Sequence, residues 1–104
     1  MLPGYVTRFT DRPGLKVPHM GWNQLDARRT SDLLRDVPED AYAYFVHSYY
    51  CVPTRTDDVL ATVDYGEPVT AAVQHERIYG VQFHPEKSQR TGLQLLMNFL
   101  ELPL

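Results

Sequence analysis

Apolar and polar residues alternate with a period near two through the middle of this chain, and shift to a helical period near its end. Val59–Tyr65 (VLATVDY), Val69–His75 (VTAAVQH) and Ile78–Phe83 (IYGVQF) each read as strands. Gly66 is a turn residue between the first two. Glu76-Arg77 is a tight polar link between the last two and predicts a hairpin. Upstream, Ala41–Val52 (AYAYFVHSYYCV) is rich in aromatic and β-branched residues and predicts one long strand, ended by Pro53.

The N-terminal part is weaker in pattern. Pro3-Gly4 and Pro13-Gly14 are turn dipeptides, and Tyr5–Phe9 between them alternates well enough for a strand. Leu15-Lys16-Val17 is a short extended piece, because Pro18 biases Val17 away from helix. His19 to Leu25 mixes polar and aromatic residues without a clear period. Residues 26–40 are charged and predict a loop with one helical turn around Ser31–Leu34.

At the C-terminal end Leu93, Leu96, Met97 and Leu100 fall at i, i+3, i+4 and i+7. That spacing predicts an amphipathic helix of about ten to twelve residues, with Ser88 as N-cap and Pro103 beyond its end. One helix does not cover both faces of so many strands. Either the strands form a small sandwich of their own, or part of the fold lies outside this chain.

The chain has 104 residues, 43% hydrophobic and 22% charged, which is the composition of one small globular domain. A net charge of −3 offers no basic surface for nucleic acid or an anionic membrane. No apolar run reaches the ~18–20 residues of a membrane span, and the N-terminus lacks the pattern of a secretory signal. The one cysteine, Cys51, precludes an internal disulfide and fits a reducing compartment, the cytoplasm.

The candidate chemistry lies in Gly80–Gln89 (GVQFHPEKSQ). His84 ends a strand, and Glu86 follows two residues later, so both side chains can face the same way in extended chain. A carboxylate there can accept the imidazole N–H and support the imidazolium, leaving the second nitrogen to serve a nucleophile. The same residues also fit a plain structural role, with His84 capping the next helix or hydrogen-bonding locally, and Glu86 favoured by the helix dipole. The four histidines show no metal-ligand spacing, and no metal or cofactor is expected. Cys51 has no glycine-flanked elbow or helix start around it, so it reads as a small residue in or near a strand rather than a nucleophile.

Three stretches, Val17–Leu25 (VPHMGWNQL), Tyr44–Tyr50 (YFVHSYY) and Gly80–Ser88 (GVQFHPEKS), resemble in order and spacing the C-terminal half of a class I glutamine amidotransferase. H-P-E alone fits relatives that make anthranilate, GMP or CTP. Together with P-H-M-G-W-N, the pattern is most similar to the glutamine amidotransferase subunit of imidazole glycerol phosphate synthase. The resemblance runs from Leu2 to about Leu100 and treats residues 1–104 as one partial domain.

The resemblance implies an α/β fold of flavodoxin-like type, of which this chain is the strand-rich, partly antiparallel C-terminal part with one helix. It implies a Cys-His-Glu triad that hydrolyses glutamine, and a heterodimer with a cyclase subunit that receives the ammonia during histidine biosynthesis. His84 is then the triad base and Glu86 its orienting acid. Ser48 and Tyr49 contact glutamine, and Trp22, Asn23, Tyr44 and Lys87 face the cyclase. Each of these six also has an ordinary reading as a strand residue or a solvated charge. The family's Gly-x-Cys-x-Gly elbow is not in this sequence. The expectation is therefore a chain without glutaminase activity alone: a fragment whose Met1 is an internal methionine, a cyclase-binding module, or one half of a split amidotransferase of another pathway. Exposed apolar sheet surface is expected with it.

Overall fold

The computed structural model describes residues 2–9 and 13–102, as eight strands and one long helix. The strands are β1 (Gly4–Arg8), β2 (His19–Gln24), β3 (Asp26–Ala27), β4 (Tyr42–His47), β5 (Tyr49–Pro53), β6 (Val59–Asp64), β7 (Pro68–His75) and β8 (Ile78–Val81), followed by α1 (Gln89–Leu100). β1 pairs with β5, β2 with β4, and β3, β6, β7 and β8 form a four-stranded sheet in that order. Every pairing between these strands is antiparallel.

Two strand breaks join these pieces. Leu25 separates β2 from β3; its N–H donates to Ala41 C=O, and three residues on Arg28 N–H donates to Leu60 C=O. One run of chain thus leaves β4 and joins β6. Ser48 does the same between β4 and β5, and its C=O accepts the N–H of Phe9. The single strand expected over Ala41–Val52 is therefore two strands. High strand propensity on both sides of Ser48 cannot signal a change of partner, because propensity carries no information about which neighbour is paired. His19–Gln24, without a period in the sequence, is a strand because it pairs with β4 over its whole length.

The turns follow their local chemistry more closely. The β7–β8 hairpin places His75 opposite Ile78, with Glu76 at φ 56° in the link. Gly66, at φ 82°, turns β6 into β7. Gly4, expected in a turn, instead opens β1 opposite Pro53. The charged segment holds the expected turn as a 3-10 helix, Asp32–Leu34, where the Ser31 hydroxyl accepts the Leu33 N–H at 3.1 Å. That hydroxyl also donates to Gln74 Oε1 at 2.6 Å and ties the segment to β7.

The core lies between the sheets, where Phe45, Leu60, Val63, Val69 and Phe83 are almost completely enclosed. α1 is present, but it presents an unexpected face inward. Gly92, Leu95 and Asn98 are buried, whereas Leu93 is 60% and Leu100 82% exposed. The helix packs through its small and polar residues because Asn98 Nδ2 donates to the carbonyls of Leu33 (2.8 Å) and Arg35 (2.6 Å). The apolar stripe of Leu93, Leu96, Met97 and Leu100 is left on the surface, as are Tyr5 and Val6 of β1. Pro103 lies outside the described residues.

Candidate functional site

His84 stands where the four-stranded sheet meets the β2–β4 pair. Gln82 N–H donates to Ala71 C=O on β7, and His84 N–H donates to Tyr44 C=O on β4. The short bent segment after β8 is thereby pinned to both sheets. A 3-10 turn over Pro85–Lys87 follows, started by the proline, with Lys87 N–H donating to His84 C=O. Ser88, expected as a helix cap, occupies the N-cap position but makes no side-chain cap bond. Its buried hydroxyl donates to His84 C=O at 2.7 Å and accepts Tyr44 N–H at 2.9 Å. Ser88 thus locks the His84 backbone to β4.

His84 Nδ1 lies 3.3 Å from Glu86 Oε2. A carboxylate can only accept, so Nδ1 carries the proton and Nε2 is the nitrogen free to act on a reacting group. Glu86 is exposed, and its own backbone N–H, followed by the His84 ring, holds its carboxyl below the usual range. It is ionised at neutral pH and can support an imidazolium beside it. His84 does not cap the turn with its side chain; its bond is the local one to Glu86.

Three of the four residues expected at a partner face come together. Trp22 and Tyr44 are cross-strand partners whose rings meet edge to face at 5.9 Å. Lys87 Nζ sits 6.0 Å from the Tyr44 ring centre, at the outer limit of a cation–π contact. Trp22 is half exposed, and Met20 and Tyr42 beside it are exposed as well. Asn23 does not join this group. Strand alternation turns it to the opposite face of β2, where its amide nitrogen bonds His19 Nε2 at 3.2 Å and Asp64 C=O at 2.9 Å.

Ser48 and Tyr49 form the corner between β4 and β5. Ser48 is half-buried and Tyr49 exposed, and the Tyr49 carbonyl accepts from His47 Nδ1 at 2.8 Å. Cys51 is exposed in β5 opposite Val6, and the strand runs on past it to Pro53, so no helix begins at this residue. Among the described residues no three histidine, cysteine or acidic side chains gather as a metal site requires, and no helix is long and apolar enough to cross a membrane.

One cluster escaped the sequence reading. His19 and His47, 28 residues apart, are both buried and joined ring to ring at 2.9 Å. Burial, then the neighbouring charge of His47, pushes the His19 pKa down to about 4, and burial lowers that of His47 too. Their register opposition across β2 and β4 is the only sequence-accessible signal, and it requires knowing the pairing.

Comparison with known proteins gives this geometry a context. The class-I glutamine amidotransferase family profile matches residues 7–102. The chain is 51% identical over 102 residues to imidazole glycerol phosphate synthase subunit HisH of Synechococcus elongatus, covering 96% of this chain and 47% of that protein. It is 56% identical over 88 residues to the HisH of Azospirillum brasilense, covering 85% and 46%. With the HisH of Methanothermobacter thermautotrophicus it shares 52% over 102 residues, covering 98% and 50%. Among solved structures, a GMP synthase-like protein from Thermoplasma acidophilum superposes with a TM-score of 0.73 at 19% identity, over 93% of this chain and 47% of that one. That likeness speaks to the fold. The chain spans about half the length of the curated relatives it matches. With nearly all of its residues matched by one family profile, and identities near one half to relatives that share one name, the chain belongs to the class-I glutamine amidotransferases.

Proposed function

We propose that this chain is the histidine- and glutamate-bearing half of the glutamine amidotransferase unit of imidazole glycerol phosphate synthase. It would supply ammonia from glutamine to a cyclase subunit in histidine biosynthesis. The observation that carries the reading is the His84–Glu86 pair, oriented at 3.3 Å with one imidazole nitrogen unengaged among the described residues and its backbone locked to the strand that bears Tyr44.

The chemistry needs a cysteine, which a Gly-x-Cys-x-Gly segment outside this sequence would provide. The thiolate attacks the side-chain amide carbon of glutamine, and backbone donors of that segment hold the oxyanion. His84 Nε2, having taken the thiol proton, passes it to the leaving nitrogen, which departs as ammonia. The ring then takes a proton from water as that water attacks the thioester, and glutamate and the thiol are released. Glu86 stabilises the imidazolium in each step, while the ring holds the proton taken from the thiol and later the one taken from water and returned to the sulfur. Ser48 and Tyr49 offer a hydroxyl and backbone groups for the polar ends of glutamine. Trp22, Tyr44 and Lys87 present an aromatic anchor and a cation to the cyclase.

The test combines this chain with the elbow-bearing half of a relative and the cyclase, and measures glutamate released from glutamine. The mixture is expected to turn over, the chain alone is not, and His84→Ala is expected to abolish turnover. Turnover by the chain alone, or turnover indifferent to His84→Ala, would overturn the reading. Capture of the cyclase without any hydrolysis would replace it with a binding module.

A further inference from the structure

The inner face of the β2–β4 pair carries a line of hydrogen bonds that the hydrolysis described above does not use. It runs from Asp64 C=O through Asn23, His19 and His47 to Tyr49 C=O. Its direction is set at both ends. Asn23 Oδ1 accepts the Gln24 N–H at 2.8 Å, so the Asn23 amide nitrogen is the donor to Asp64 C=O and to His19 Nε2. Tyr49 C=O can only accept, so His47 Nδ1 holds a proton. Between them His19 Nδ1 donates to His47 Nε2. Each ring thus carries one proton, on Nδ1, and a second proton on either ring would point at another donor.

The far end of this line is the Ser48–Tyr49 corner, where the chain changes partner from β2 to β1. Strand propensity is high on both sides, so the break needs outside support. Two bonds hold it: Phe9 N–H to Ser48 C=O, and His47 Nδ1–H to Tyr49 C=O. The His47 ring packs against Phe9, 5.1 Å away, while His19 is stacked on Phe45 at 4.9 Å and tilted against Tyr65 at 4.2 Å. The donor to Tyr49 therefore has little freedom to swing.

We propose that His47 is a positioning residue for glutamine binding: its Nδ1–H, oriented by His19 and Asn23, sets the Ser48–Tyr49 corner against the substrate. This rests on the reading of that corner as the glutamine contact. His47 touches no reacting atom, so its signature is in KM rather than kcat.

Two substitutions separate the bond from the bulk of the ring. His47→Asn keeps an amide donor near the Nδ1 position and can still reach Tyr49 C=O. His47→Gln places its amide near Nε2, so it keeps a partner for His19 and loses the Tyr49 bond. In the assembled glutaminase of the preceding section, His47→Gln is expected to raise KM for glutamine about tenfold over His47→Asn, the effect of one lost hydrogen bond, with kcat changed by less than about threefold. Equal KM values for the two variants would overturn the proposal. Should neither variant fold, the wild-type chain still decides: long-range proton–nitrogen NMR must show both rings neutral and protonated on Nδ1, and an Nε2–H at His47 overturns it. Failure of the parent reading looks different. In that case Ser48→Ala leaves KM unchanged, whereas KM rising in Ser48→Ala but not in His47→Gln rejects the positioning role alone.

Discussion

Replacing Gly92 by alanine sets two simple expectations against each other. Alanine in a helix is favoured over glycine by about 1 kcal/mol, so propensity alone predicts a more stable protein. The packing of α1 predicts the reverse. A Cβ at position 92 would lie 1.7 Å from the carbonyl oxygen of Pro85, 2.6 Å from its carbon and 2.9 Å from its Cα. All three are backbone atoms, so no rotamer change relieves the overlap. Clearing the oxygen to a tolerable 3.0 Å needs a movement of about 1.3 Å in a close-packed region. Pro85 cannot yield alone, because His84 before it is bonded to Tyr44 and Ser88. Overpacking costs about 1–3 kcal/mol, and a backbone displacement of this size belongs at the upper end. The net expectation is a loss of about 2 kcal/mol, since the propensity gain offsets part of the overlap. Urea unfolding followed by circular dichroism should show a lower midpoint with an unchanged slope. A midpoint equal to or above that of the parent would refute the argument, because it would mean that α1 does not rest on Pro85. The same displacement carries His84, so turnover in the assembled glutaminase should fall by about 100-fold per ångström of misplacement.

Asn98→Ala removes donors to two carbonyls inside the fold, and urea unfolding should register a loss of about 2–3 kcal/mol; a loss below about 0.5 kcal/mol would show those carbonyls to be satisfied otherwise. His19 makes stability pH-dependent. Its folded pKa of about 4 is below the ordinary 6.5, so between these values the unfolded chain binds the extra proton and acid favours unfolding. Its contribution is complete above pH 6.5 and is lost as pH falls to 4, about 3 kcal/mol in all. His19→Gln should flatten the stability–pH curve across that window by a comparable amount, and an unaltered slope would contradict the burial argument. Trp22→Ala should weaken capture of the cyclase at least tenfold in a binding titration, as loss of a half-exposed aromatic anchor does at other interfaces. Unchanged affinity would remove Trp22 from the proposed partner face.

The amino-acid sequence by itself determined what is local. The β7–β8 hairpin, the Gly66 turn, the 3-10 turn after Ser31 and the terminal helix are all coded within a few residues of where they occur. His84 and Glu86 do meet as the sequence predicts, but not as a pair in extended chain: Glu86 lies in the 3-10 turn over Pro85–Lys87, which places its carboxylate 3.3 Å from Nδ1. The tertiary structure decided everything that depends on which strand lies beside which. The break at Ser48 and the joining of His19 to His47 follow from the β2–β4 register, and Asn23 turns away from Trp22 because pairing with β4 makes this segment a strand. The inward face of α1 was misjudged for the same reason. Apolar periodicity names the greasy side of a helix, whereas the packed side here is the one whose glycine allows contact with Pro85 and whose asparagine reaches two open carbonyls. Short-range torsional preference is written in neighbouring residues; close approach and hydrogen-bond complementarity exist only between segments that folding has already brought together.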